Sequence, residues 1–113
     1  MLLTFHNSLM AGPGQLIFDA SGDLYSAALG GSFDSNCLAV GCGLIFELTP
    51  GAKGRWTENT VYDFCSVSGC QDGDYPSGVI LGRDRNLYGS SYLGGDINKC
   101  APYGCGTIFE IKP

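Results

Sequence analysis

Six cysteines are the residues of this chain most able to do chemistry, and they fall into three pairs of one spacing: Cys37 with Cys42, Cys65 with Cys70, and Cys100 with Cys105. An even count in C-x4-C units reads as three local disulfides. Each would stabilise by about 2 kcal/mol, by restricting the unfolded chain. Gly41 and Gly104 precede the second cysteine of two pairs, where the backbone must turn back for the sulfurs to meet. The alternative is a four-thiolate metal site built from Cys37, Cys42, Cys100 and Cys105. Zinc ligand pairs are usually two to four residues apart, so this spacing is borderline, and the reading favours staples with no metal. Disulfides persist in oxidising surroundings, which places the chain outside the cytosol, in the extracellular medium or on a cell surface.

The remaining inventory is thin. His6 is the only histidine, and no serine or cysteine nucleophile motif lies near it. Glu47 and Glu110 could in principle share acid–base work as a carboxylate pair. They hold one repeated position beside Phe46 and Phe109, so repetition accounts for both. Asp72 and Asp74 in "QDGDYPSG" have a calcium-like spacing but lack the further oxygen ligands of a calcium loop, and read as an acidic turn. Tyr25 and Tyr88 end strands beside glycine-rich loops, and Trp56 lies in the polar "GAKGRWTEN". These three aromatics are the candidate ligand-binding residues, able to stack on a sugar or peptide. Tyr25, Tyr88, Phe46 and Phe109 can equally pack between sheets. The chain therefore offers no catalytic constellation and calls for no cofactor.

These residues are positioned by a repeat. "NCLAVGCGLIFELTP" at 36–50 returns as "KCAPYGCGTIFEIKP" at 99–113, so that Cys37, Cys42, Ile45, Phe46, Glu47 and Pro50 recur 63 residues later. Ile17 and Leu24-Tyr25 likewise match Ile80 and Leu87-Tyr88, and Phe5 and Pro13 answer Phe64 and Pro76. Two units follow, 1–58 and 59–113. Each reads as four short strands rich in aliphatic and aromatic residues. The first unit has "LLTF", "QLIFD", "DLYSAA" and "GLIFEL"; the second has "NTVYDF", "GVIL", "NLYGSS" and "GTIFEI". Ser21-Gly22-Asp23 and Asp84-Arg85-Asn86 supply hairpin turns. No window sustains helical periodicity. Eighteen glycines without a collagen period fit many tight turns. The expected class is all-β, with two four-stranded propeller-like blades from a unit of about 55–63 residues.

"LIFDASGDLYSAALGG", "GLIFELTP", "WTENTVYDF" and "NLYGSSYLGG…GCGTIFEIKP", taken in that order, resemble the GloVer tandem-repeat family of bacterial extracellular proteins. The resemblance covers nearly the whole chain. The chain departs from the family pattern at Asp23, at Ser26-Ala27-Ala28 and at Gly82. The resemblance implies a secreted or surface-displayed propeller-like array and brings no catalytic residues with it.

Composition narrows the partners. With net charge −5 and only six Lys and Arg, scattered along the chain, it lacks the basic face that nucleic acid requires. No apolar run reaches the ~18 residues of a membrane helix. "MLLTFHNSLMAGPG" is a poor signal peptide, so Met1 is expected to begin a piece of a longer secreted chain. Two blades cannot close a ring. The expected partners are copies of the chain in a ring or filament, or neighbouring repeats, with a glycan or surface ligand as a further possibility. The function expected is that of a non-catalytic extracellular scaffold. The alternative is a glycan-binding or lyase- or glycosidase-like propeller with its site at the channel mouth.

Overall fold

The computed structural model describes residues 12–31, 37 and 41–113. Its seven strands are β1 (Ile17–Phe18), β2 (Leu24–Ala28), β3 (Leu44–Pro50), β4 (Trp56–Asp63), β5 (Asp74–Leu81), β6 (Leu87–Leu93) and β7 (Thr107–Ile111). Single 3-10 turns at Ala52–Gly54 and Ser68–Cys70 complete the elements. The chain is all-β. Strands pair antiparallel in a four-stranded sheet, β1-β2-β3-β4, and a three-stranded sheet, β5-β6-β7.

The difference in strand number corrects the expectation of two four-stranded units. Of 59–64, read as the opening strand of the second unit, residues 59–63 instead belong to the first sheet, within β4. Its residues pair along β3 from Trp56 opposite Pro50 to Asp63 opposite Leu44, with a bulge at Ile45/Phe46. The polar segment 51–55 turns tightly, with Gly51 N–H bonded to Arg55 C=O at 2.6 Å, so the next extended residues return directly along β3. A sequence neighbour joined by a short turn pairs before a distant one can. "LLTF" and His6 lie outside the described residues.

Elsewhere the repeat is reproduced closely. Ile17 faces Tyr25, and Ile80 faces Tyr88. Tyr25 faces Glu47, and Tyr88 faces Glu110. The two β-turns match as well: Asp19 N–H bonds Asp23 C=O and Gly82 N–H bonds Asn86 C=O, both at 2.9 Å.

The first sheet is buried on both faces. Leu24, Ala28, Leu44, Phe46 and Leu48 cluster on one side, with Trp56 against them. Tyr25, Ala27 and Ile45 form the other side, where they meet Phe64, Val79 and Leu87. The second sheet lays β5 across β1, β2 and β3 to build this inter-sheet core. Phe64 fills its centre, edge-on to Phe109 at 5.0 Å and to Tyr62 at 5.2 Å between ring centroids. Burial in the second sheet alternates along β7, as a one-sided sheet requires.

Candidate functional site

Each sheet carries a tyrosine beside carboxylates at the end where its first hairpin turns. In the first, Asp19 Oδ1 accepts the N–H groups of Ser21 and Asp23, both at 2.9 Å, which closes the turn. Asp19 Oδ2 lies 3.4 Å from the Tyr25 hydroxyl, which donates to it. Glu47 stands opposite Tyr25 and is held by a 2.7 Å bond from Thr49 Oγ1. Burial, and then the Glu47 carboxylate, push the Tyr25 phenol above its ordinary range. Asp23 is also raised, by loss of hydration first and then by Asp19 and Glu47.

In the second sheet the carboxylate partner moves two positions along the turn. Asp84 occupies the place of Ser21, and Gly82 that of Asp19. A side chain at Gly82 would put its Cβ 2.5 Å from Tyr88 Cε2 and 2.7 Å from Asp84 Oδ1, so glycine opens the room this arrangement needs. The Tyr88 hydroxyl is 2.5 Å from Asp84 Oδ2 and 2.7 Å from Glu110 Oε2. Having one proton, it donates to one carboxylate at a time. Asn86 Nδ2 donates to Glu110 Oε2 at 2.8 Å, and its N–H to Asp84 Oδ1 at 3.1 Å. These donors hold Asp84 and Glu110 below the usual carboxylate range, the Tyr88 bond being the largest cause for both. The same two bonds push the Tyr88 phenol up.

The two clusters differ in what covers them. Tyr25 is 5% exposed and Ile45 is fully buried, whereas Ile108 and Ile80, which flank Tyr88, are 84% and 66% exposed. A shallow groove of about 440 Å³ runs over Gln15, Ile80, Tyr88, Ser90 and Ile108. Beside Tyr25 only a cleft of about 150 Å³ remains, between Asp19, Leu81 and Arg85. Of the three aromatics singled out from sequence, then, Tyr25 is enclosed and Trp56 is half-buried against the first sheet's outer cluster. Tyr88 alone faces an open groove. Glu110 joins it, while Asp84 and Asn86 were missed. Their signal was the Asp-x-Asn turn set directly before Leu-Tyr.

Chemically, the Tyr88 cluster presents ionised oxygens, an amide and an aromatic face. Carboxylates held ionised accept hydroxyl hydrogen bonds well but are poor proton donors at neutral pH.

The cysteines pair as expected, 37 to 42, 65 to 70 and 100 to 105. The sulfurs next to Cys37 and Cys42 are those of Cys65 and Cys70, not of Cys100 and Cys105. Asp72 is spent on the 64–73 loop, where it accepts from Tyr62 Oη at 2.7 Å and from the N–H groups of Ser66 and Val67 at 2.9 and 3.2 Å. Burial and the Asp72 bond push the Tyr62 phenol up to about 12. Asp74 is buried on β5 toward the cysteines. Among the described residues, no helix is long and apolar enough to cross a membrane. Compared with known proteins, the chain matches no family model, no curated protein and no solved structure.

Proposed function

We propose that this chain is a non-catalytic, extracellular repeat module whose units stack face to face and which assembles with further copies of itself in a propeller-like or filamentous array. One observation carries the reading: the positions through which the second sheet covers the first are duplicated, exposed, at both free sides of the molecule. Ile17, Tyr25 and Ile45 are covered by the second sheet, whereas their counterparts Ile80 and Ile108 are exposed and Tyr88 is half-buried. Val79 and Leu81 seat β5 on the first sheet, and their counterparts Leu16 and Phe18 are 47% and 65% exposed. A second copy bringing its Leu16–Phe18 side onto the Ile80–Ile108 face would repeat the internal contact. Such a contact is head-to-tail, so it closes into a ring or continues as a filament. The β7 edge, where the first sheet carries β4, adds unpaired backbone groups among the described residues. Three disulfides and the resemblance to extracellular repeats support the location.

Light scattering on the oxidised protein tests this. The wild type should run as a multimer, and Ile108→Lys should run as a monomer with an unchanged far-ultraviolet spectrum. A monodisperse wild-type monomer at micromolar concentration overturns it. A second reading, glycan binding at the Tyr88 groove, is favoured by the half-buried ring lining that groove beside Asp84, Asn86 and Glu110. A glycan array separates the two, because stacking on sugar would be lost in Tyr88→Ala but kept in Phe18→Lys, which removes the other side of the proposed contact and lies outside this groove.

A further inference from the structure

The seam between the two sheets gathers four sulfurs from two loops. Cys37 and Cys42 belong to the β2–β3 connection, and Cys65 and Cys70 to the β4–β5 connection. Cys37 Sγ lies 4.0 Å from Cys70 Sγ across the two disulfides. The sulfurs of Cys37, Cys42 and Cys65 all lie within 4.8 Å of one another. Tetrahedral zinc with Zn–S bonds of about 2.3 Å holds its sulfurs about 3.8 Å apart. Cys37 Sγ therefore has the other three sulfurs within 4.8 Å, and opening the two disulfides would let the four spread from bonded contact toward thiolate separations.

Three of the four cysteines are also fixed by main-chain bonds that do not involve sulfur. Cys42 C=O accepts the Tyr75 N–H at 2.9 Å, which ties the first loop to β5. Cys65 N–H bonds Gly73 C=O at 3.1 Å. Cys70 C=O accepts the N–H groups of Gly73 and Gly95, both at 2.9 Å. Opening the disulfides leaves these anchors in place. Cys42 and Cys70 are buried, so a bound ion would be shielded from water. Asp74 lies within 4.8 Å of Cys37 and Cys70, but the four sulfurs already complete the coordination.

We propose that Cys37, Cys42, Cys65 and Cys70 are a redox-gated metal site, binding one zinc ion as four thiolates when their two disulfides are reduced. A dithiol or phosphine reductant supplies two electrons to each disulfide and leaves oxidised. The four thiols formed release their protons as the ion binds. The two states tie the molecule differently: oxidised, each staple closes its own loop; metal-bound, a single ion joins the first sheet's loop to the second's. Cys100 and Cys105 share the spacing but lie exposed and join no such group, so they serve as the internal control.

The test is to reduce the whole chain with a phosphine, remove the reductant anaerobically and titrate with Co²⁺, then Zn²⁺. One equivalent of cobalt should give the ligand-field and charge-transfer bands of a tetrahedral tetrathiolate, and zinc should displace it. The bands should persist with Cys100 and Cys105 both changed to Ser, and be lost in Cys37→Ser or Cys65→Ser. The far-ultraviolet spectrum of the zinc-loaded reduced chain should match that of the oxidised protein, whether or not the metal-free reduced chain stays folded. No stoichiometric binding, bands that depend on Cys100 and Cys105, or metal bound to a chain that stays unfolded would each overturn the proposal.

Discussion

Ile45 and Ile108 occupy one place in two copies of nearly the same sentence, "GLIFEL" and "GTIFEI", and both follow a disulfide-closed loop. The first is fully buried and the second is 84% exposed. Register does not account for this, since Ile45 faces Ala27 on β2 and Ile108 faces Ser90, the corresponding position, on β6. The neighbour accounts for it: the second sheet lies over Ile45, and among the described residues nothing lies over Ile108. The tyrosines follow suit. Tyr25 is sealed between sheets beside Asp19 and Glu47, whereas Tyr88 stands in a groove between two carboxylates and an amide. Repetition copies a surface and its chemistry together; burial then decides which copy is core and which stays exposed.

The comparison is tested most severely by removing the same side chain from both copies. Ile45→Ala should cost about 2–4 kcal/mol, because it leaves a cavity in a packed core. Ile108→Ala should change monomer stability by no more than about 0.5 kcal/mol, as an exposed substitution does. Denaturant unfolding of each variant measures the gap. Similar values for the two at a dilution where light scattering shows monomer would mean that Ile108 is packed as Ile45 is, and the comparison would fail.

The staples sharpen the contrast at the next level. Replacing Cys100 and Cys105 by Ser should cost about 2 kcal/mol, the chain-entropy value for a loop of this size. Replacing Cys37 and Cys42 should cost more, because Cys42 is buried and a serine hydroxyl there adds a desolvation penalty of about 1–3 kcal/mol unless it finds a partner. Equal losses would show that the seam yields to a polar group as easily as the exposed loop does.

Alkaline titration separates the half-buried phenol of Tyr62, on β4 and bonded to Asp72 of the 64–73 loop, from a free one. Tyr62 is raised from 10.0 to about 12, so its folded state holds the proton more tightly than the unfolded chain. Its contribution is fully present below pH 10 and is lost as pH rises from 10 to about 12. Stability measured across that window should fall in the wild type and fall less steeply in Tyr62→Phe. Phenolate absorbance should show the delayed ionisation directly.

The smallest effects concern the two turns, which respond to acid in opposite senses. Asp84 and Glu110 are held below their ordinary 3.8 and 4.5. Their contribution is present above pH 4.5 and is lost as pH falls through the depressed folded values. Asp23 is raised above 3.8, so its ionised form opposes folding and protonation relieves it. Asp23→Asn, which copies the Asn86 of the second turn, should raise the neutral-pH melting temperature slightly and flatten the acid dependence of the first sheet. A lower melting temperature would mean that the Asp23 carboxylate has a partner in solution that outweighs Asp19 and Glu47.

Local patterns carried the strands, turns and disulfides into view. Short aliphatic and aromatic runs between Gly, Asp and Asn turns specify antiparallel hairpins, because side-chain alternation and turn geometry act over a few residues. C-x4-C closes a loop on itself, so its pairing needs no long-range information. The repeat also matched Tyr25 with Tyr88 and Glu47 with Glu110, and the folded strands set both pairs at one register. Three things were decided only in three dimensions. Residues 59–63 went to the first sheet, because the 51–55 turn folds them back on β3 before they can reach β5. Cys37–Cys42 came to rest beside Cys65–Cys70, because β5 crosses the first sheet and the loops at that end meet at one seam. And Tyr25 closed while Tyr88 stayed open, because burial belongs to the pair of surfaces in contact. A sequence repeated within one chain writes each surface twice, and among the described residues the packing of one sheet on the other buries Ile45 and leaves Ile108 exposed.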